Sequence, residues 1–306
     1  MIYVCCGLPR SFGLQAPGGA ANAPGEAGGT DVAVKLDTKL VEKPWGRDAL
    51  PAPFSDIGGG DRIGEVWFAG AEHLPLLAKY IFTSEKLSIQ VHPSAAQAEA
   101  MQVEGGKHEC WLILDAEPGG TIGIGVKRPL SPTELRAAAL DGSLEELIDW
   151  RPVRAGDFFY VPAGTVHAIG AGISLLEFQQ NDGVTFRLYD YGRPRELHLD
   201  QAVAVARPEP HLPKVPAHLA EGESEDRVLV DGPFFSLVHV ASGEGNVLGD
   251  RQRWVMPLAG RASAGAEEAG PGECLLLDAG ETLTLNSDRV LIGAEGKVAT
   301  PAIPKA

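Results

Sequence analysis

Apolar residues in this chain fall mainly in short, dense runs separated by Gly, Pro and Asp, a pattern of strands and turns rather than long helices. From about Val32 the stretches AKYIFTSEKLSIQVH, HECWLILDA, DFFYVPAG, ISLLEFQQ and VTFRLYDYG are rich in β-branched and aromatic residues. Helical signals are few. Ser131-Pro132-Thr133-Glu134 offers an N-cap hydroxyl, Pro at the first helical position and a capping-box carboxylate. Ser143 with Glu146 repeats the cap-and-carboxylate pattern before Leu147 and Ile148, and a third helix is predicted after Pro93 through AAQAEAM.

The same pattern divides the chain. Residues 1–31 are largely Gly, Ala and Pro with little to bury and are expected to be disordered. Composition alone also suggests a start further in, near Val32 or Val34; N-terminal sequencing that found Met1 would remove that expectation. Residues 32–205 form the first strand-rich unit, with a helical insertion at about 131–149. Residues 206–226, rich in Pro and charge, read as a linker, and 227–306 return to short strands with Gly turns. An internal echo supports two related units: Gly156-x5-Pro162-x-Gly164-x2-His167 matches the spacing of Gly272-x5-Asp278-x-Gly280-x2-Leu283. The expected fold is all-β dominated: a barrel or jelly roll with a small helical insertion, followed by a smaller β unit of the same kind.

Composition narrows the functions. At 306 residues the chain suits one large or two modest domains. A formal charge of −15 argues against nucleic-acid or anionic-membrane partners, and an anionic substrate would need a local cluster of Lys and Arg. No apolar run approaches the roughly 20 residues of a membrane span. Cys5, Cys6, Cys110 and Cys274 are scattered without a CxxC pair, so free thiols and a cytoplasmic setting are expected rather than a disulfide framework. No P-loop, GxSxG, or GxGxxG opening a helix is present to anchor nucleotide binding or serine hydrolysis.

Candidate chemistry lies in three strand-like segments. Gln90 and His92 in LSIQVHP are two residues apart, so strand alternation puts them on one face. Glu109 in GGKHECW is a carboxylate in an otherwise apolar strand, and a buried carboxylate needs a partner charge. His167 closes the Gly-Pro turn of VPAGTVHA, which aims it inward. An isolated QxH is more often a core histidine beside a solvated glutamine; the combination favours a metal site. Two imidazoles, one amide oxygen and one carboxylate suit zinc first, then manganese, iron or cobalt. Lys107 shares a face with Glu109, either as a cation beside the metal or as an edge-strand lysine in water, whereas His108 and Cys110 face away. Arg187, between Phe186 and Leu188, points either at a carboxylate such as Glu177 or into a site as a phosphate fork. Trp45 and Trp67, in KPWG and GEVW, read as structural.

Together, KPWG, GEVW, LSIQVHP, GKHECW, GVKRPLSPTEL, GDFFYVPAGTVHAIG and EFQQNDGVTFRLYDYGR resemble the class I mannose-6-phosphate isomerases in their shorter bacterial form, within the cupin superfamily. The resemblance covers roughly Lys43 to Ala204 well and the C-terminal unit loosely. It implies a cupin-type barrel with a degenerate second unit, and zinc on Gln90, His92, Glu109 and His167. It also implies Lys107 and Arg187 at an active site that interconverts mannose 6-phosphate and fructose 6-phosphate through a cis-enediol. The chain departs from the family at Gln180-Asn181-Asp182-Gly183, where an acidic side chain is displaced by one position, and at His108. Two other readings stay open: a non-catalytic, metal-bound sugar-phosphate sensor, and a cupin oxygenase, for which Gln90 in place of a third histidine is a poor fit.

Overall fold

Strands dominate the computed structural model, which describes residues 33–70, 72–212, 217–241, 247–287 and 289–298. The predicted N-terminal extension, with Cys5 and Cys6, lies outside the described residues. The first half runs β1 (Val34–Lys35), β2 (Asp37–Ala49), β3 (Gly58–Ala69), β4 (Leu76–Phe82), β5 (Ile89–Val91), α1 (Ala95–Met101), β6 (Glu109–Ala116) and β7 (Thr121–Val126). It continues through α2 (Pro132–Asp141), α3 (Leu144–Leu147), β8 (Ile148–Pro152), β9 (Asp157–Val161), β10 (His167–Ile169), β11 (Ile173–Gln180), β12 (Phe186–Tyr189) and α4 (Leu199–Val205). The rest is β13 (Ala217–His218), β14 (Arg227–Asp231), β15 (Phe235–Val240), β16 (Arg253–Pro257), β17 (Arg261–Ala264), β18 (Glu267–Ala269), β19 (Leu275–Leu277), β20 (Thr284–Asn286) and β21 (Val290–Glu295).

The strands assemble into antiparallel sheets stacked as layers. A seven-stranded sheet has the order β13-β9-β6-β11-β4-β3-β2, and a five-stranded sheet the order β12-β5-β10-β7-β8. Ile81, Trp111, Ile113 and Leu175 of the first pack with Ile122, Ile124 and Ile169 of the second. The outer face of the five-stranded sheet is covered by helices: Ile89, Val91, Ala168 and Phe186 meet Leu135, Ala139, Ala202 and Val205. The outer face of the seven-stranded sheet is covered by the C-terminal sheet (β1-β19-β16-β21-β15-β14), where Cys110, Leu112 and Phe178 meet Phe235, Trp254 and Leu291. A small sheet, β18-β17-β20, closes the far side of the C-terminal unit.

This layering explains why HECWLILDA reads as an unbroken apolar run. Strand β6 is covered on both faces, so alternation sorts its residues by neighbour rather than by polarity. Glu109, Trp111 and Ile113 face the five-stranded sheet, and Cys110 and Leu112 face the C-terminal sheet. The close approach of that second interface depends on Gly293. A Cβ there would sit 2.3 Å from Phe178 Cζ, so any side chain would force the sheets apart.

Capping boxes form at two helices, of which the sequence predicts the one at Ser131. Ser94 with Gln97 and Ser131 with Glu134 both form capping boxes. The predicted cap at Ser143 does not form: its side chain makes no cap bond, its backbone is already helical, and α3 spans only 4 residues. The repeated turn motif adopts one backbone shape twice, with φ of 91° and 86° at Gly156 and Gly164 and 84° and 85° at Gly272 and Gly280. In the second copy Leu283 is buried in the C-terminal core. The Pro-rich connection is strapped to the first unit: Leu130 N donates to Pro208 O, Val126 N to Glu209 O and Leu219 N to Gly156 O. Its residues 213–216 lie outside the described residues.

Candidate metal centre and adjoining cavity

Register brings the distant ligand candidates together. His167 pairs with Gln90 across β10 and β5, and Gln90 pairs with Arg187 across β5 and β12. Glu109 opens β6 in the facing sheet. Ligand atoms of His92, Glu109 and His167 all lie within 4.8 Å of one another, and all three residues are buried. Glu109 Oε2 is 3.3 Å from His92 Nε2, and Glu109 Oε1 is 3.4 Å from His167 Nε2.

The turn before β10 sets the His167 imidazole, and the backbone ahead of β12 sets that of His92. His92 Nδ1 lies 2.9 Å from Val184 O, and His167 Nδ1 lies 2.8 Å from Thr165 O. A carbonyl only accepts, so each Nδ1 carries the proton and each Nε2 presents a lone pair to the carboxylate. Gly164 N, in the same turn, donates to His92 O, and Gly164 O accepts from Arg207 N at 2.7 Å. Gly164 has φ +86°, and a Cβ there would sit 2.8 Å from Arg207 Nε, so glycine serves both the turn and the strap.

Protonation states favour a cation at this point. Burial, helped by the neighbouring Lys107 cation, pushes His92 down to about 4, and burial also lowers His167. Burial alone would raise Glu109, but Lys107, His92 and His167 overcome it and hold the carboxyl well below its ordinary range. Two neutral imidazole lone pairs and a carboxylate therefore converge. Glu109 Oε2 lies 2.7 Å from Lys107 Nζ, yet no well-directed hydrogen bond reaches that oxygen. These residues fit a divalent metal: deprotonated donors, fixed tautomers and a buried lone pair left unspent.

Lys107 is 6% exposed, so it is no edge lysine in water. Its ammonium also reaches His92 Nε2 at 3.4 Å and Glu177 Oε1 at 3.9 Å. As expected, His108 turns the other way, to the Tyr160 hydroxyl and the Phe234 ring. Arg187 does not pair with Glu177: its Nη1 donates to Glu196 O at 2.6 Å, and its Nε is buried without a hydrogen-bond partner. Glu177 instead receives Lys79 Nζ at 2.6 Å and the Trp111 indole N–H at 3.0 Å. Burial and the charge of Glu109 raise its pKa.

Beside the ligands lies a cavity of about 690 Å³ whose walls include Lys39, Lys43, Lys79 and Lys107, with Glu65 and Trp67. Glu65 accepts the Trp67 indole N–H and pairs with Lys43 at 3.5 Å and Lys79 at 3.6 Å. Trp45 is a core residue, as read from the sequence, but Trp67 is cavity wall. Glu65 and Glu177 lie within GEVW and EFQQNDG, but nothing in the sequence sets them or Lys79 beside one another. They meet only because Trp67, Lys79, Glu177 and Trp111 fall in one row across β3, β4, β11 and β6.

Layered antiparallel sheets enclosing a buried two-histidine, one-carboxylate centre beside a lysine-lined cavity define the class: a β-sheet protein built around a metal-site candidate. No family model matches the chain. It is 42% identical over 242 residues to mannose-6-phosphate isomerase of Streptococcus mutans, across 66% of this chain and 76% of that protein. The chain belongs to the mannose-6-phosphate isomerase family. A Bacillus subtilis mannose-6-phosphate isomerase is 36% identical over 185 residues, 58% of this chain and 57% of that protein. The crystal structure of mannose 6-phosphate isomerase from Bacillus subtilis matches with a TM-score of 0.69 at 26% identity, covering 86% of this chain and 99% of that one. A zinc-bound mannose 6-phosphate isomerase structure shares the fold at 14% identity and a TM-score of 0.62, covering 87% of this chain and 100% of that one.

Proposed function

We propose that this chain interconverts mannose 6-phosphate and fructose 6-phosphate, with one zinc ion held by Gln90, His92, Glu109 and His167. The observation that carries the reading is the convergence of the two Nε2 lone pairs on Glu109, next to a cavity that gathers four lysines beside the carboxylates Glu65, Glu72, Glu104 and Asp182 in a chain of net charge −15. Family membership supplies the phosphorylated hexose as substrate.

Gln90 completes the ligand set from β5. Its Nε2 lies 3.3 Å from His167 Nε2 and its Oε1 accepts from Ser88 Oγ at 3.1 Å. Half a turn of the amide exchanges the two atoms and offers the oxygen to a metal. When bound, zinc supplies Lewis acidity that polarises a sugar oxygen. Aldose–ketose exchange moves a proton between C2 and C1 through a cis-enediol, and negative charge develops on oxygen. Lys107, which both touches Glu109 and lines the cavity, supplies positive charge against that oxygen. Arg187, beside Gln90 in register, is the second cation assigned to the site. Its unpartnered Nε supports that role, and engaging substrate would exchange its bond to Glu196 O. The β unit 32–205 carries this chemistry and the unit 227–306 buttresses it. The cytoplasm is the proposed compartment, in keeping with free, buried Cys110 and Cys274; among the described residues no helix is long and apolar enough to cross a membrane.

A coupled isomerase assay with and without chelator and zinc tests the reading. Turnover of mannose 6-phosphate should vanish on chelation and return with zinc. A folded, zinc-loaded but inactive protein would instead indicate a sugar-phosphate sensor. A Lys107→Ala variant with unaltered turnover and affinity would remove that residue from the mechanism.

A further inference from the structure

We propose that Lys39, assisted by Lys43, holds the phosphate end of the substrate at the outer end of the cavity. The inference rests on the sugar-phosphate reading above and adds where the phosphate sits. The inner cations of the cavity are already matched by carboxylates: Lys107 lies 2.7 Å from Glu109, and Lys79 lies 2.6 Å from Glu177. Lys43 shares Glu65 with Lys79. Arg187 stands beside Gln90, outside the wall of this cavity, and its guanidinium donates to a backbone carbonyl. Lys39 differs from all of these. Among the described residues it makes no ion pair, and its ammonium lies 5.6 Å from the centre of the Trp67 ring.

The strand β2 that carries Lys39 and Lys43 is the edge of the seven-stranded sheet, where lysine also deters pairing with a foreign strand. That duty needs only a charge directed to solvent. Lys39 instead folds over an indole in the cavity wall. The same ring centre is 5.7 Å from Lys79 Nζ, so Trp67 spans the gap between an uncommitted cation and the Lys79–Glu177 pair beside Lys107. A hexose phosphate laid along that indole places its dianion on Lys39 and Lys43 and its C1–C2 end toward Lys107 and the ligand cluster. Phosphate is then gripped first by Lys39, the cavity lysine without an ion pair, and the inner lysines, each held in place by a carboxylate, face the reacting end of the sugar.

Steady-state kinetics of the zinc-loaded full chain and its K39M, K39R and K43M variants test this, with inorganic phosphate as a competing probe. K39M should raise KM for mannose 6-phosphate and weaken phosphate inhibition by roughly tenfold to a hundredfold, the range for one charge-assisted contact. Its kcat should stay within about twofold, since the contact is made equally in ground and transition states. K39R should recover most of the loss, and K43M should shift KM in the same direction. An active wild type with unchanged KM and phosphate inhibition in K39M would overturn the proposal. An inactive wild type would overturn the isomerase reading instead. In that case calorimetric phosphate binding that is present in wild type and lost in K39M would still support the anion site.

Discussion

At the scale of single residues, the histidines show how burial decides charge. His108 stacks on Phe234 with ring centres 4.2 Å apart and lies 2.9 Å from the Tyr160 hydroxyl. Burial, with Arg207 nearby, lowers its pKa from 6.5 to about 4. The unfolded chain therefore takes up a proton as pH falls through 6.5 that the folded chain refuses until about 4. Stability is lost across that window, by roughly 2 kcal/mol after discounting for partial exposure. Urea midpoints at pH 7 and pH 5 should differ less in His108→Gln than in wild type; an equal gap would remove His108 as a source. The candidate ligands were legible in the sequence for a local reason: QVHP, KHE and PAGTVH each declare a face within a few residues. Glu65, Lys79 and Glu177 were not, because each is an ordinary charge until strand register sets it opposite its partner. Trp67, read as structural, also lines the cavity, which strand register alone reveals.

At the scale of elements, capping separates helices that look alike in sequence. Ser131 Oγ accepts from Glu134 N at 3.2 Å, while Glu134 Oε2 accepts from Ser131 N at 2.8 Å. Ser143 has the same residue pattern and no side-chain cap bond. Ser131→Ala should therefore cost about 1 kcal/mol in chemical denaturation, whereas Ser143→Ala should stay within about 0.5 kcal/mol. Equal losses would mean that the two caps are energetically equivalent. Strands β4, β6, β9, β11 and β12 were readable because dense β-branched and aromatic runs leave little alternative. The course of the 206–226 connection was not readable. Its Pro-rich composition says that it is extended, and says nothing of the carbonyls it offers to Leu130 and Val126.

For the whole molecule, the decisive feature is a sheet covered on both sides. Composition marks the strands, but which face of β6 meets the candidate ligands and which meets the C-terminal sheet depends on long-range stacking. Gly293→Val tests that stacking. With a Cβ placed 2.3 Å from Phe178 Cζ, it should lower stability by roughly 1–3 kcal/mol, visible as a lower Tm. Because Gly293 touches none of the candidate ligands, any zinc held at the proposed site at low temperature should match wild type. An unchanged Tm would mean that the two sheets part without cost.

The turn around Gly164 has a thermodynamic consequence. One tight bend holds the His92 carbonyl, fixes the His167 tautomer and receives the strap through Arg207. Occupancy at the histidines and docking of the strap therefore act on the same few backbone bonds. Linkage between two such events is reciprocal: whatever free energy an ion spends in steadying the bend is returned as tighter attachment of the strap, and a loosened strap weakens the hold on the ion by the same factor.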